Sequence, residues 1–358
     1  MAGNVLKWLL VGPGDIARTR VTPALVTADR SELVAVCGSK RKNRTLELAE
    51  KYQVSLTFDD LDEALEKSGA DAVYIATPHP LHVDMLKRSL AAGKHVFCEK
   101  PLGINAAECR DAVRAVRNMP HLKTGCSNYR LFTRQFRTLQ TILKNGDAGE
   151  LLGAWMQDEE GYYNPGNHPL LKSAGANPEH GFGFYLINMA QKLFGNPEAV
   201  FCAASSFNCE QKTEYDIEDL QNIILRFPGG KQVTILLNFT AQNVPLNHAY
   251  SFTCSRGRIV FPACPPHFDA PVRLITPGSD KVLEDSVTGT NGERPNWHLP
   301  MVQDFVDAVL DGGTPFCSVE SAAMTAVITD AIERSALTGQ WEAVPELFEK
   351  PNRKDVTI

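Results

Sequence analysis

Tyr74-Ile-Ala-Thr-Pro-His-Pro-Leu-His82 and Ala92-Gly-Lys-His-Val-Phe-Cys-Glu-Lys-Pro101 each run a short apolar stretch into a polar turn. Both stretches read as strands buried on two faces. In an open α/β sheet, ligands lie in the crevice outside the carboxyl ends of such strands. Glu99 and Lys100 are delivered to that edge, with Pro101 directly behind them. Working outward, Trp8–Val11 and Leu33–Cys37 read as further strands, as do Ala72–Ala76, His95–Cys98 and Thr124–Ser127. Between them lie helix-period segments: Asp15–Thr27, Asn43–Tyr52, Leu61–Lys67 behind Asp59 and Asp60, one ending near Gly93, and Asn105–Val116. Strands alternating with helices in this way imply a parallel sheet with right-handed crossovers.

The pattern changes after residue 127. A helix is expected over Thr133–Lys144, ending at Asn145-Gly146. Strand-like runs then dominate at Ala199–Ser205, Asn222–Phe227, Gln232–Asn238 and Tyr250–Thr253, which suggests an antiparallel or mixed sheet. Tyr162–Pro178 reads as a long loop, and helices near Met301–Leu310 and Val319–Leu337 close the chain. The expected architecture is α/β in two domains. Residues 1–127 form a Rossmann-type doubly wound parallel sheet. Residues 128–358 form an α+β domain with an open, mostly antiparallel sheet, and the last helices are placed to pack back on the first domain.

The chain has 358 residues, a net charge of -6 and nine cysteines. Lys and Arg are scattered, so there is no electrostatic case for nucleic acid or an anionic membrane surface. No apolar stretch is long enough to span a bilayer. The cysteines form no C-x-x-C pair, which argues for reduced thiols in the cytoplasm and against a disulfide framework or a metal site.

Gly12-x-Gly14-x-x-Ala17 lies between a strand and a helix, the context a dinucleotide fingerprint requires. The first glycine permits the tight turn and the second lets backbone approach a pyrophosphate. Gly12, Gly14, Asp15 and Ile16 are the candidates there, and Thr77, Pro78 and His82 stand at the next strand end. The second strand closes on Gly38-Ser-Lys-Arg-Lys-Asn-Arg44, with no acid to take ribose hydroxyls and four basic side chains. Ser39, Lys40, Arg41 and Arg44 suit a 2′-phosphate, so NADP(H) is expected over NAD(H).

Gly12-x-Gly14-x-x-Ala17, Thr77-Pro-x-x-x-His82, Ala92-Gly-Lys-His-Val-x-Cys-Glu-Lys-Pro101 and Asn128-Tyr-Arg130 together resemble the glucose–fructose oxidoreductase/inositol dehydrogenase/rhizopine-catabolism (Gfo/Idh/MocA) family. The resemblance continues in Asn145-Gly-x-x-Gly-Glu150, Asp304-Phe-Val-Asp-Ala and Ala331-Ile-x-x-Ser-Ala-x-x-Gly339. It implies a dehydrogenase of sugars, polyols or related compounds that is commonly oligomeric, here a homodimer or homotetramer. Lys100 matches the family's catalytic lysine, whose ammonium can stabilise alkoxide character on the reacting oxygen. Glu99 is then expected beside the nicotinamide or its ribose.

One segment departs from the family pattern. Where the family carries Asp-x-Gly-x-His-x-x-Asp ahead of Leu-x-Gly, this chain reads Gly181-Phe-Gly-Phe-Tyr185-Leu-Ile-Asn188 ahead of Leu193-Phe-Gly195. Positions 181, 185 and 188 share one helix face. Tyrosine at this position resembles the glucose–fructose oxidoreductase and dimeric dihydrodiol dehydrogenase members, which implies that Tyr185 exchanges the proton. A neighbouring Lys100 would favour its phenolate. Gly181 has no side chain to orient a catalytic group, and His180, one position earlier, is the candidate to compensate. Tyr129, Arg130, Tyr163, His168, His180 and Asn188 complete the candidate substrate contacts.

Two functions compete on these residues. One is an NADP(H)-dependent oxidoreductase acting on CH–OH groups of a carbohydrate-like molecule, with Lys100 and Tyr185 catalytic. The other is a catalytically silent, cofactor-binding sensor or regulator, which the lost acids favour and the retained Lys100 opposes.

Overall fold

The computed structural model describes residues 4–38, 42–159, 179–207, 217–240, 247–264, 271–283 and 296–348. The first half alternates as expected. β1 (Leu6–Val11) leads through a wide π-type turn at Ala17–Val21 into α1 (Thr22–Thr27), then β2 (Ser31–Cys37), α2 (Lys42–Lys51) and the short β3 (Leu56–Phe58). α3 (Leu61–Lys67) follows, opened by Asp60, whose carboxylate accepts from the Glu63 amide at 2.9 Å. Next come β4 (Ala72–Ile75), α4 (His82–Ala91), β5 (His95–Cys98), α5 (Ala106–Arg117) and β6 (Thr124–Cys126). Asn105 caps α5 by accepting from the Glu108 amide at 2.9 Å. These strands form one parallel sheet in the order β3-β2-β1-β4-β5-β6. The order reverses between β1 and β4, so the turns after those strands flank the topological switch point.

The chain leaves this sheet through a 3-10 turn at Tyr129–Phe132 and enters α6 (Arg134–Asn145), which ends on Gly146 in the left-handed region. A second sheet follows. Its strands are β7 (Leu151–Glu159), β8 (Ala199–Ser205), β9 (Leu220–Arg226), β10 (Gln232–Asn238), β11 (Asn247–Cys254), β12 (Gly257–Cys264), β13 (Val272–Thr276) and β14 (Ser279–Leu283), with α7 (Phe184–Phe194) between β7 and β8. β15 (Glu342–Ala343) joins the far edge, giving the order β14-β13-β12-β11-β7-β10-β9-β8-β15. All pairings are antiparallel except β10 with β7.

One face of this sheet carries the core: Met156, Val233, Ile235, Leu237, Ile223, Leu225 and Phe252 are all buried. β7 and β12 to β15 fall outside the expected strand runs. In β7 the inward row is Ala154, Met156 and Asp158, and a carboxylate in that row breaks the apolar alternation that marks a half-buried strand.

α8 (His298–Leu310) and α9 (Val319–Thr338) return to the first sheet, α8 against α1 and α9 against α5. Arg30, at the start of β2, pairs with Asp307 at 2.9 Å and Asp311 at 2.5 Å across this junction.

Candidate active site

The glycine turn is built by strand geometry. The Gly12 amide donates to the Cys37 carbonyl, and φ at Gly12 is +90°. A Cβ there would lie 2.7 Å from the Ala76 carbonyl oxygen, so only glycine fits beside β4. At Gly14, by contrast, the nearest atom to a Cβ among the described residues, the Ala76 carbonyl oxygen, would be 4.0 Å away. The room above Gly14 therefore belongs to the cleft. That cleft, about 480 Å³, is lined by Gly12, Gly14, Gly38, Thr77, Pro78 and Asp59, with Met85 and Leu81 on its apolar side. Main-chain groups at the start of a helix, an apolar wall and a glycine whose missing side chain leaves open space fit a dinucleotide pyrophosphate. Asp59 and Met85 reach the cleft through pairing of β3 and packing of α4, which no local motif announces.

Arg44 turns back to Asp15, 3.1 Å from its carboxylate, and links α2 to the glycine turn. Ser39, Lys40 and Arg41 lie outside the described residues, as do Tyr163 and His168; of His180 only the backbone is described.

Two expected cofactor contacts are used up by the protein itself. His82 is buried between the Pro101 carbonyl, 2.7 Å from Nδ1, and the Thr77 carbonyl, 2.8 Å from Nε2. Burial lowers its pKa while both carbonyls work the other way, and a neutral ring can donate to only one of them. The imidazole thus ties the turn after β4 to the turn after β5 and leaves no ring nitrogen for a cofactor. Glu99, expected at the nicotinamide, is turned inward. Its carboxylate accepts from the Tyr74 hydroxyl at 2.8 Å and lies 3.7 Å from His298 Nε2. Burial pushes the Glu99 carboxyl up and the His298 imidazole down to about 3, so each is driven toward its neutral form.

Lys100 and Tyr185 come together. The Lys100 ammonium lies 5.1 Å from the centre of the Tyr185 ring and 6.0 Å from that of Phe182. It donates to the Gly181 carbonyl at 3.1 Å. Gly181 has non-helical angles (φ -74°, ψ -109°) ahead of α7, which turns that carbonyl out of the helix. Gly181 thus holds the Lys100 ammonium through its main chain, a contact its lack of a side chain does not announce. Tyr129 stands edge-on to Tyr185 with ring centres 4.9 Å apart, and stacks on His298 at 5.1 Å. His298 is thereby a member of the site that carries no spacing signal in the sequence.

Arg130 and Asn188, read as substrate contacts, are instead interior. Arg130 is 1% exposed, pairs with Asp158 at 2.5 Å and donates to the Tyr250 hydroxyl at 2.8 Å. Its guanidinium carbon lies 4.7 Å from the Tyr185 ring centre. Asn188 accepts from Asn128 at 2.9 Å and donates to Ser321 and Thr325 on α9, both at 3.0 Å. A buried amide so placed locks α7 to α9, and a buried guanidinium needs its carboxylate more than a substrate.

Residues 6–122 match the oxidoreductase family with an NAD-binding Rossmann fold, and residues 136–260 match the GFO/IDH/MocA C-terminal domain. The chain belongs to the GFO/IDH/MocA oxidoreductase family. It is 26% identical over 351 residues to an uncharacterized oxidoreductase of Rhizobium meliloti, covering 95% of this chain and all of that one. It is also 26% identical to trans-1,2-dihydrobenzene-1,2-diol dehydrogenase of Mus musculus, over 79% of this chain and 81% of the relative. Levoglucosan dehydrogenase in complex with NADH superposes with a TM-score of 0.86 at 20% identity, covering 96% of this chain and all of the other. The aldose-aldose oxidoreductase of Caulobacter crescentus superposes with a TM-score of 0.83 at 20% identity over 95% of this chain and all of the other. These two structural likenesses show the shared fold. Among the described residues no helix is long and apolar enough to cross a membrane, and Cys37, Cys98, Cys109, Cys126, Cys202, Cys254 and Cys317 are buried free thiols.

Proposed function

We propose that this family member is an NADP(H)-preferring dehydrogenase or reductase that moves hydride between the nicotinamide and a CH–OH carbon of a sugar, polyol or related diol. The reading rests on one juxtaposition: the Lys100 ammonium, at the edge of the first sheet, 5.1 Å from the ring of Tyr185, carried by α7 beside the second. The bound nicotinamide supplies or accepts the hydride. Gly12, Gly14, Asp15 and Ile16 hold its pyrophosphate, Thr77 and Pro78 bound its path, and Ser39, Lys40, Arg41 and Arg44 favour a 2′-phosphate. Lys100 stabilises negative charge on the substrate oxygen while Tyr185 gives or takes that oxygen's proton. Tyr129 forms an aromatic wall for the substrate. The dehydrogenase names of the relatives agree with this substrate class.

Residues 1–127 are assigned to cofactor binding and 128–358 to substrate binding, in a cytoplasmic protein. The uncovered face of the second sheet, with Trp155 42% exposed and Ile224 and Phe201 half-buried in the same cross-strand row, is assigned to pairing with a second copy. Light scattering behind a sizing column checks the pairing; a monomer refutes it.

Sugars, polyols and aromatic diols screened with each nicotinamide cofactor, followed at the nicotinamide band, test the activity. Turnover with one of them, faster with NADP(H), is the expected result. Tight cofactor binding with no turnover across the panel would overturn the enzyme in favour of a sensor.

A further inference from the structure

The side chains packed on the Tyr185 ring include two cations on different footings. Lys100, 5.1 Å from the ring centre, is only partly buried, so solvent screens part of its charge. Arg130 is enclosed, with its guanidinium carbon 4.7 Å from the ring centre. Behind Arg130 lies Asp158 on the inward row of β7. It accepts from Arg130 at 2.5 Å, from His248 Nδ1 at 2.7 Å and from the Tyr250 hydroxyl at 3.0 Å, the last two side chains coming from β11. Burial alone would raise the Asp158 pKa, but Arg130 and His248 overcome it and hold the carboxyl at about 2. The other described rings on Tyr185 are uncharged: Tyr129 from the turn after β6, and Phe182 and Phe184 from the segment that carries Tyr185.

Arg130 against the ring and Asp158 bound to its guanidinium are two buried charges of opposite sign, a fixed dipole whose positive end meets the ring. In a low-dielectric interior such a dipole acts strongly and is little screened by salt. A cation over an aromatic face also gains directly from the ring's quadrupole, and more so from a phenolate.

We propose that Arg130 and Asp158 are positioning residues that together set the acidity of the Tyr185 phenol, Arg130 lowering it toward neutrality and Asp158 limiting how far. The catalytic consequence rests on the reading of Tyr185 as the proton-exchanging group; the electrostatic coupling itself does not. The two partners must then act with opposite sign. Removing the Arg130 charge leaves a buried carboxylate facing the phenol and raises its titration midpoint. Neutralising Asp158 leaves the guanidinium uncompensated and lowers that midpoint.

The test is an ultraviolet phenolate titration of the full-length protein. The Tyr185 component is isolated by subtracting the Tyr185→Phe trace from each background, since the chain holds eight tyrosines. Asp158→Asn should lower the Tyr185 midpoint, and Arg130→Gln should raise it, each by about one pH unit. The double variant should return near the starting value. Asn is nearly the same shape as Asp, so Asp158→Asn decides the matter if Arg130→Gln does not fold. A folded Asp158→Asn protein whose midpoint is unmoved or raised would overturn the proposal. The readout needs no substrate, so a protein that fails the turnover screen can still pass this test, and the two failures are told apart.

Discussion

On one side of Lys100 the site is backbone, and on the other it is side chains. The Gly12–Gly14 turn presents main-chain groups fixed by β1, β2 and β4, and its shape needs only that two residues lack side chains. Tyr185 is held by Tyr129, Arg130 and Phe182, and through them by Asp158, His248, Tyr250 and His298, drawn from the inter-sheet turn, the turn ahead of α7, β7, β11 and α8. A backbone cradle can serve any member of a fold. A cage of side chains is where one member differs from another, and it is here that this chain carries Gly181 and Asn188 where the family resemblance leads one to expect acids.

If the side-chain half carries the chemistry, Tyr185→Phe should reduce turnover by about 10²–10⁴-fold and leave the cofactor dissociation constant unchanged. Equal loss of both would erase the division between the halves. The backbone half is tested by a pair of small substitutions. Gly12→Ala adds a Cβ 2.7 Å from the Ala76 carbonyl oxygen, in a left-handed conformation. It should cost about 3 kcal/mol of stability, measured by urea unfolding. Gly14→Ala meets nothing among the described residues nearer than 4.0 Å. Its unfolding midpoint should stay put while cofactor affinity falls about tenfold, the loss of roughly 1.4 kcal/mol of binding.

The same contrast explains what could be read in advance. The glycine turn, the Asn105 and Asp60 caps and the edge position of Lys100 are written in neighbouring residues, so periodicity and turn chemistry reveal them. Arg130 and Asp158 are 28 residues apart, and His248 lies 90 residues beyond Asp158. Nothing local says that these charges neutralise one another, so Arg130 reads as a ligand group until β7 is seen to bring a carboxylate beneath it. Glu99 misleads for the same reason: its motif marks the cleft edge, but the packing of Tyr74 and His298 draws the carboxylate inside. His298 itself is placed only by α8 folding back over the first sheet.

The buried imidazole gives the side-chain half a pH signature that the glycine turn lacks. His298 titrates near 6.5 when unfolded and is held down to about 3 by burial in the fold. Between those values the unfolded chain binds the extra proton, so stability is intact above about pH 6.5 and is lost as pH falls toward 3. Glu99, which burial pushes the other way, offsets part of this. The comparison of variants is therefore the measure. His298→Phe keeps an aromatic ring against Tyr129, and its unfolding free energy should fall less steeply on acidification than that of the unsubstituted protein, by on the order of 2 kcal/mol at about pH 5. Parallel curves would mean that the acid response arises elsewhere.

The smallest effect is expected where the cofactor half does use side chains. In the sequence Lys40 and Arg41 follow β2, where an acid would hold ribose hydroxyls, and each cation that meets a 2′-phosphate contributes about 1–2 kcal/mol. Arg41→Ala should lower the ratio of NADP(H) to NAD(H) affinity by about tenfold, with NAD(H) binding and the unfolding midpoint unchanged. A loss that shrinks as salt is raised would mark the contact as electrostatic. Arg44→Ala should do less, since its guanidinium is already engaged by Asp15. If Arg44→Ala instead has the larger effect, binding must break the Asp15 pair, and the glycine turn is then less rigid than its backbone bonds imply.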